Sequence, residues 1–455
     1  MRPDEFRRYG HEVVDWIADY LAGAREYPVF SRVSPGEIAG SLPASAPEQG
    51  EPMDVILEDF RRLILPGVTH WNHPRFLAYF AVTGSGPGIL GEMLSAALNV
   101  NGMLWRTSPA VTELEQVTLG WLRQWLDLPE EFFGIIHDTA STSTLHAVAA
   151  AREAADPEAR TRGGTGRLIL YCSEQAHSSV ERAVITLGIG RQNLRKIPVD
   201  DCFRLRPEAL SAAVEEDLRS GARPFCVTAT AGTTSTTSID PVAEIAAIAE
   251  QYRLWLHVDG AYAGTAAVVP EFRHVLAGAR RADSVVVNPH KWMFTPIDCS
   301  ALYTRRPEVM RRAFSLVPEY LQGAEAPNLM EYGVPLGRRF RALKLWFVMR
   351  HYGREGVARI LRNHVALAQE FAGWVRADER FEIAAPHPLS VVCFRLRASE
   401  QDNRRLLETV NSSGVAFLSN TVLHGRFTLR LAIGHMETSR EDLGQVWDCV
   451  RTAAG

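Results

Sequence analysis

A lysine that follows a short apolar segment has a side chain and a position that are suited to catalysis. Lys291 comes after the apolar run 285–287 and an Asn-Pro pair, between His290 and Trp292. The run is typical of a buried strand, and the proline ends it because proline has no backbone donor. Burial there would lower the pKa of the amine and make it a nucleophile of the kind that forms Schiff bases. Taken alone, Lys291 fits better as the first exposed residue after a strand.

Other polar groups stand at or just after the ends of further predicted strands. These strands are apolar and alternate with helices, which predicts a parallel α/β sheet with helices on both faces. In such sheets, ligands bind beyond the carboxyl ends of the strands. A histidine, a threonine pair, an aspartate and a lysine along one edge therefore indicate a functional site. The groups are His177, the run Gly232-Thr233-Thr234, Asp259 and Lys291.

A cluster of hydroxyl side chains leads into a predicted alanine-rich helix within 134–152. Free backbone N–H groups at a helix start, with hydroxyls beside them, can bind an anion. Serine and threonine are also ordinary N-caps, so the cluster fits either role, although a single cap needs only one such residue. The cluster comprises Thr139, Ser141, Thr142, Ser143 and Thr144.

An aromatic stretch over 70–80 precedes a glycine-rich turn at 84–88. Trp71, Tyr79 and Phe80 lie just before this turn, where missing side chains would let a small ligand approach the backbone. Aromatic residues usually belong to the core, and the stretch by itself favours that simpler interpretation.

The composition excludes several classes of function. The chain has 455 residues, 46% hydrophobic and 22% charged, with a net charge of −4, as is typical of a soluble globular protein. No long basic run occurs, so neither nucleic acid nor an anionic membrane is expected as a partner. The six cysteines lack the spacing of a metal site, which predicts no metal and reduced thiols in a cytoplasmic protein. The charged N-terminus is not a signal peptide, and no apolar run reaches membrane-spanning length.

The order of the patterns predicts three parts. Residues 1–80 form an N-terminal helical segment, whose amphipathic helix over 4–24 we expect to pack on a partner subunit. Residues 81–350 form a large α/β domain, in which 317–335 is a long loop of the kind that acts as a lid. Residues 351–455 form a small α+β domain.

The polar groups together suit pyridoxal phosphate. A lysine amine can form a Schiff base with it, and an aspartate can keep its pyridine nitrogen protonated so that the ring accepts an electron pair. A hydroxyl-rich helix start can hold the phosphate, and a histidine can lie on the face of the ring.

Five motifs resemble those of the aromatic-L-amino-acid decarboxylases, which are group II pyridoxal-phosphate decarboxylases. The resemblance covers nearly the whole chain, in the order that the family has. It implies an α/β fold of the aspartate-aminotransferase type (fold type I), with a large mixed or parallel-sheet domain that binds the cofactor, and a homodimer with shared active sites. The motifs are NPHKW at 288–292, HVDGAYAG at 257–264, ATAGTTST at 229–236, EQAHSSVERA at 174–183 and PLGRRFRALKLWF at 335–347.

The resemblance implies a role for each matching residue. Lys291 would be the Schiff-base lysine, Asp259 would pair with the pyridine nitrogen, and His177 would stack on the ring. Tyr320 would return a proton to the substrate carbon after carbon dioxide leaves. The other implied cofactor contacts are Ala140, Ser141, Thr234, Ala261, Asn288 and His290. The implied substrate-pocket residues are Trp71, Tyr79, Phe80 and Gly337.

The function implied is decarboxylation of an aromatic L-amino acid such as tryptophan, phenylalanine, tyrosine or dihydroxyphenylalanine. Some relatives are aldehyde synthases, which consume oxygen and typically have phenylalanine at the position of Tyr320. A decarboxylase of an acidic amino acid is a further alternative, but the candidate pocket residues are aromatic rather than cationic. A scaffold protein that lost the chemistry would not need Lys291 and Asp259, and an aminotransferase would accumulate the aminated cofactor.

Overall fold

The computed structural model describes residues 1–164, 166–316 and 326–455. They form two compact units. The large unit comprises Val82–Gln369 and Ala385–Cys393, and the small unit comprises Met1–Ala81, Glu370–Ala384 and Phe394–Gly455. The three-part division expected from the sequence stays a prediction.

The helices and strands follow each other in the order expected of an α/β protein. The strands are β1 Phe76–Leu77, β2 Phe133–His137, β3 Leu168–Ser173, β4 Leu194–Ile197, β5 Arg223–Thr230, β6 Trp255–Asp259, β7 Ser284–Val287, β8 Ser300–Thr304, β9 Phe381–Ile383, β10 Val391–Leu396, β11 Phe417–Leu423 and β12 Arg426–Ala432. The α-helices are α1 Pro3–Ala22, α2 Glu37–Ser41, α3 Met53–Asp59, α4 Gly86–Leu98, α5 Pro109–Trp125, α6 Ala140–Ala155, α7 Ala159–Arg162, α8 Ser178–Thr186, α9 Pro207–Arg219, α10 Val242–Tyr252, α11 Pro289–Trp292, α12 Pro307–Phe314, α13 Arg341–Ala377, α14 Glu400–Ser412 and α15 Arg440–Ala453.

The large unit is built on a seven-stranded sheet with the order β2-β8-β7-β6-β5-β3-β4. Only β8 runs against its neighbours: it is antiparallel to β2 and to β7, while the pairs from β7 to β4 are parallel. Since β2 and β7 both oppose β8, they share one direction. The carboxyl ends of six strands therefore lie along one edge, and the parallel α/β sheet that the sequence predicts is confirmed.

The apolar runs of the sequence become the interior strands of this sheet. Every residue of β6 and β7 is buried, which explains why these segments are nearly continuous in apolar residues rather than alternating. Helix α6 packs on the sheet through alanine-rich turns, in which Ala147 and Ala150 are fully buried in the main core cluster. Small side chains let this helix approach the strands closely, so the start of α6 is held firmly against the sheet.

The small unit contains a five-stranded sheet with the order β1-β11-β12-β10-β9, except for residues 391–393 of β10, which belong to the large unit. An aromatic cluster forms its core, in which the Trp447 ring lies 5.1 Å from that of Phe381 and 5.6 Å from that of Phe371. The strand-and-helix pattern of the C-terminal region agrees with the predicted small α+β fold. Helix α1 matches the amphipathic helix expected over 4–24, and none of its residues is buried.

Replacing Trp447 by alanine tests the core of the small unit. We expect a loss of about 3–5 kcal/mol in the free energy of unfolding, because a large buried ring leaves a cavity. Urea unfolding followed by circular dichroism measures it. The half-buried Trp374 of the same unit is the matched control, and its replacement should cost clearly less. Equal losses for the two variants would contradict this account of the core.

Candidate active site

Lys291 lies where the sequence places it, directly beyond the buried strand β7. Asn288 is the N-cap of the four-residue helix α11, and its N–H donates to the carbonyl of Ala261 at 3.1 Å. The backbone N–H of Lys291 donates to the carbonyl of Asn288 at 3.0 Å. The lysine is partly buried, although its neighbours on both sides are buried. It is therefore held on a short, rigid turn at the carboxyl edge of the sheet.

The buried side chain of Trp292 fixes that turn. Its ring is fully buried, stacks on Tyr262 at 4.7 Å with 14° between the planes, and donates from Nε1 to Nδ1 of His364 at 2.9 Å. The Tyr262 hydroxyl is itself hydrogen-bonded to Ser390. Because the indole is held on a face and by its N–H, the adjacent lysine has little freedom to shift along the edge.

Asp259 ends β6 on the same edge and is almost fully buried. Its carboxylate accepts the N–H of Ala261 at 3.0 Å, and its backbone carbonyl accepts the N–H of Ala231 at 2.8 Å. These bonds fix both the main chain and one carboxylate oxygen. The other oxygen is available for a hydrogen-bond donor on a bound molecule.

His177 is the N-cap of α8, and its Nδ1 accepts the N–H of Ser179 at 3.2 Å. In the neutral ring the proton therefore sits on Nε2. Burial lowers the pKa of His177, the negative charge of Asp259 raises it and the positive charge of Lys291 lowers it further. Both charges act on the imidazole, so the structure brings the predicted histidine, aspartate and lysine together.

The start of α6 provides backbone donors for an anion. Thr139 is the N-cap but makes no side-chain capping bond, and the helical ladder begins with the N–H of Ser143 donating to the Thr139 carbonyl at 3.0 Å. The N–H groups of Ala140 and Ser141 thus come before the first helical bond, as in helix N-termini that bind phosphate. Of the two roles open from the sequence, this geometry favours the anion site.

Asn288 and His290 have the donors that a phosphate needs. The N–H of Cys299 donates to Nδ1 of His290 at 2.9 Å, so the imidazole proton lies on Nε2, which is 3.3 Å from the amide nitrogen of Asn288. The Asn288 amide oxygen has no partner among the described residues. Two hydrogen-bearing nitrogens facing each other are reconciled by turning the amide, after which its oxygen accepts from His290 and its NH2 points away. That NH2 is a ready donor for an anion, and the residues fit the phosphate of pyridoxal phosphate.

The turn that follows β5 carries Thr234 at the carboxyl edge of the sheet. Gly232 has φ of 94°, and a Cβ there would lie 2.4 Å from the Cβ of Ala263, so only glycine fits. Thr233 is buried and hydrogen-bonded to Thr236 at 3.0 Å. The side chain of Thr234 is exposed and makes no hydrogen bond to another described residue. Its predicted contact with the cofactor stays a prediction, as does that of Ala261, which is buried two residues after Asp259.

The predicted substrate residues Trp71, Tyr79 and Phe80 belong to the small unit. Trp71 stacks on Tyr79 at 5.7 Å, and both rings are more than a third exposed, so they are not simply core residues. The buried Arg430 donates to the carbonyl of Tyr79, and its guanidinium lies 4.6 Å from the centre of the Phe80 ring. Gly337 is exposed in the large unit, and a Cβ there would lie 3.8 Å from the amide nitrogen of Asn101. Tyr320 lies outside the described residues.

Sequence reasoning missed three supporting residues. In the large unit, His364 receives the Trp292 N–H and Ser390 is bonded to Tyr262. In the small unit, Arg430 lies over Phe80. Each lies more than seventy residues from its partner, so no short-range sequence pattern could have predicted the contact. Among the described residues, no group of three or more His, Cys, Asp or Glu side chains is arranged to hold a metal ion.

Replacing Asn288 by aspartate tests the phosphate cradle. We expect binding of pyridoxal phosphate to the apoprotein to weaken about 100-fold, because a carboxylate would replace an NH2 donor facing an anion. Binding of phosphate-free pyridoxal should change much less, and equilibrium dialysis measures both. The exposed Asn420 of β11 is the matched control for an added charge. An equal loss for both forms of the cofactor would place Asn288 away from the phosphate.

Comparison with known proteins agrees with this geometry. The family described as "Pyridoxal-dependent decarboxylase conserved domain" matches residues 35–397. The chain is 42% identical to tyrosine decarboxylase 4 of Petroselinum crispum, over 100% of this chain and 94% of that protein. It is also 42% identical to phenylacetaldehyde synthase of Arabidopsis thaliana, over 100% and 96%. The crystal structure of Oryza sativa TDC with PLP and tryptamine has a TM-score of 0.96 and 38% identity, over 100% of this chain and 98% of that one. These matches confirm the fold implied by the motifs, and the chain belongs to the pyridoxal-dependent decarboxylase family, with pyridoxal phosphate as its cofactor.

Proposed function

We propose that this protein removes the carboxylate of an aromatic L-amino acid as carbon dioxide and releases the corresponding amine. The observation that carries the proposal is the convergence of Lys291, Asp259 and His177 on the carboxyl edge of the large sheet, next to a helix start suited to phosphate. Two relatives that are each 42% identical to this chain have names that refer to aromatic compounds: a tyrosine decarboxylase and a phenylacetaldehyde synthase.

The side chains divide the work at this edge. Pyridoxal phosphate, when bound, supplies an electron-accepting ring. The Lys291 amine would hold it covalently. The buried carboxylate of Asp259 would keep a proton on the ring nitrogen, and the imidazole of His177 would rest against the ring. Ala140, Ser141, Asn288 and His290 would hold the phosphate, with Thr234 and Ala261 completing the site.

The aromatic substrate class follows from the candidate pocket residues. Trp71, Tyr79 and Phe80 offer flat, partly exposed rings, which favour an aromatic side chain over an acidic one. Arg430, a cation beside them, already donates to the Tyr79 carbonyl and lies against Phe80. Gly337 adds no bulk, which suits a ring as large as indole.

An aldehyde synthase is the second candidate, because one such enzyme is as similar to this chain as the tyrosine decarboxylase is. The two reactions differ in what happens at the substrate carbon after carbon dioxide leaves. The decarboxylase protonates this carbon, whereas the synthase consumes oxygen and releases an aldehyde, ammonia and hydrogen peroxide. We propose Tyr320 as the proton donor, on the resemblance of its sequence context to the family. A tyrosine there favours the decarboxylase.

We further propose a homodimer in the cytoplasm. Helix α4 presents an exposed apolar stripe, Leu90, Met93, Leu94 and Leu98, at the spacing of one helical face. The family resemblance implies a homodimer, and a second copy of the chain is the partner that we propose for this stripe. All six cysteines are free thiols, in keeping with a reducing compartment. No helix in the described part of the chain combines the length and apolar character needed to cross a membrane.

The first test is simultaneous measurement of carbon dioxide and hydrogen peroxide from the purified holoenzyme with aromatic and acidic amino acids. We expect carbon dioxide from an aromatic substrate with little peroxide, and no turnover by the Lys291→Ala variant because the amine that holds the cofactor is gone. The Lys196→Ala variant, on the edge strand β4, is the control and should keep its activity. Sustained turnover by Lys291→Ala, or release from acidic substrates alone, would refute the proposal.

Replacing Tyr320 by phenylalanine separates the two candidate reactions. Without the phenol proton donor, we expect amine formation to fall by about 100-fold or more and aldehyde with peroxide to become the main products. The amine and aldehyde are quantified by chromatography. Unchanged amine formation would remove Tyr320 from the reaction, and peroxide already equal to carbon dioxide in the unaltered enzyme would make it an aldehyde synthase.

A further inference from the structure

A cavity of about 290 Å³ lies in the large unit at the edge of the sheet opposite to Lys291. It is bounded by the first residues of β6, by the residues that follow β8, and by the last turns of α6 and α10. Asp259 lies at the far end of β6 from this cavity, so the cavity is separate from the site described above. Its volume is near the lower limit of small-molecule pockets, which is roughly 300 Å³.

Small apolar residues make the floor of this cavity. Trp255, the first residue of β6, is buried and donates from Nε1 to the hydroxyl of Ser284 at 2.9 Å, which fixes its ring plane. Alanines also line the cavity, and their small side chains leave room that larger residues would fill. The alanines are Ala151, Ala154 and Ala155 of α6 and Ala246 and Ala249 of α10.

The rim of the cavity carries an excess of positive charge. Four arginines and two carboxylates line it. One pair is matched, because Arg281 donates to Glu250 through two nitrogens. The other carboxylate, Asp283, accepts the N–H of Leu256 at 2.9 Å and lies 4.0 Å from Arg306. The remaining arginines are Arg253 and Arg305.

Arg253 and Arg305 are the cations that lack a carboxylate. Neither has one within 4.0 Å in the part of the chain that the structure describes. Arg305 donates to the backbone carbonyl of Arg281 at 2.7 Å, so its side chain is held at the rim without a direct ion pair. Arg306 lies 5.3 Å from the centre of the Trp255 ring, which brings a third guanidinium to the apolar floor. Guanidinium groups recognise carboxylates and phosphates through paired N–H donors.

We propose that this cavity is a second ligand site, which binds a small flat organic anion, namely a carboxylate attached to an aromatic or conjugated body. The body would lie in the cavity over the alanine-lined floor, and the carboxylate would meet Arg253 and Arg305. The proposal does not rest on the decarboxylase reaction proposed above, since none of these residues belongs to the cofactor edge.

Isothermal titration of the holoenzyme with trans-cinnamate tests the site without any turnover. We expect saturable binding that weakens about tenfold or more in an Arg253→Gln/Arg305→Gln double variant, because two charge-assisted contacts are lost. The Ala249→Leu variant, which keeps every charge but fills the floor, should weaken binding as well. Arg280→Gln is the matched control, since Arg280 is exposed one residue before Arg281 and does not line the cavity. It should bind as the unaltered protein does.

Two comparison ligands complete the test. Cinnamyl alcohol, which has the same body without the charge, should bind at least about tenfold more weakly, and inorganic phosphate should not replace cinnamate. No saturable binding of cinnamate at millimolar concentration would overturn the proposal. So would binding that the double variant and Ala249→Leu leave unchanged, because the ligand would then occupy the cofactor edge. Equal binding of phosphate would overturn the requirement for a flat body.

Discussion

The parallel pairing of β6 with β7 is the constraint on which the active site depends. Asp259 stands opposite Val286 in this register, and the N–H of Gly260 donates to the Val286 carbonyl at 3.0 Å. A Cβ at Gly264 would lie 2.7 Å from a methyl carbon of Val287, so the glycine lets the turn after β6 close onto β7. The Asn288 N–H then reaches the Ala261 carbonyl. The aspartate at the end of β6 and the lysine just beyond β7 are thereby held at the ends of adjacent strands.

Burial decides the charge of the histidines around this pair. It lowers the pKa of His290 to about 3 and that of His257, in the middle of β6, to about 4, and it lowers the pKa of His177. These rings are therefore neutral at neutral pH, and each donates from one nitrogen only. A neutral His290 can donate a hydrogen bond from Nε2 to the amide oxygen of Asn288, which leaves the Asn288 NH2 free for a phosphate. A neutral His177 can rest against a ring without adding a positive charge beside Lys291.

The clustering of His177, Asp259 and Lys291 could be predicted from the sequence. In a parallel sheet, the strand boundaries alone show which residues lie at the carboxyl edge. The helix start at Ala140 was predictable for the same reason, although its role as a cap or as an anion site was open until the capping bond proved to be absent. The support of Trp292 by His364 could not be predicted, since it joins residues seventy-two positions apart. The roles of Tyr320 and of the lid loop at 317–335 stay predictions.

The same elements that carry the cofactor residues also reach the second cavity. Helix α6 begins at Ala140 and ends at Ala155, and β6 begins at Trp255 and ends at Asp259. Five strand residues span roughly 17 Å, so the two sites are too far apart for direct contact. An anion that tightened α6 against Trp255 would act on the helix whose first N–H groups we propose as the phosphate site. Linkage then requires reciprocity: any change that the anion makes in cofactor affinity must equal the change that the cofactor makes in anion affinity. A close-packed helix and a fully buried strand are the rigid elements through which such a coupling can pass.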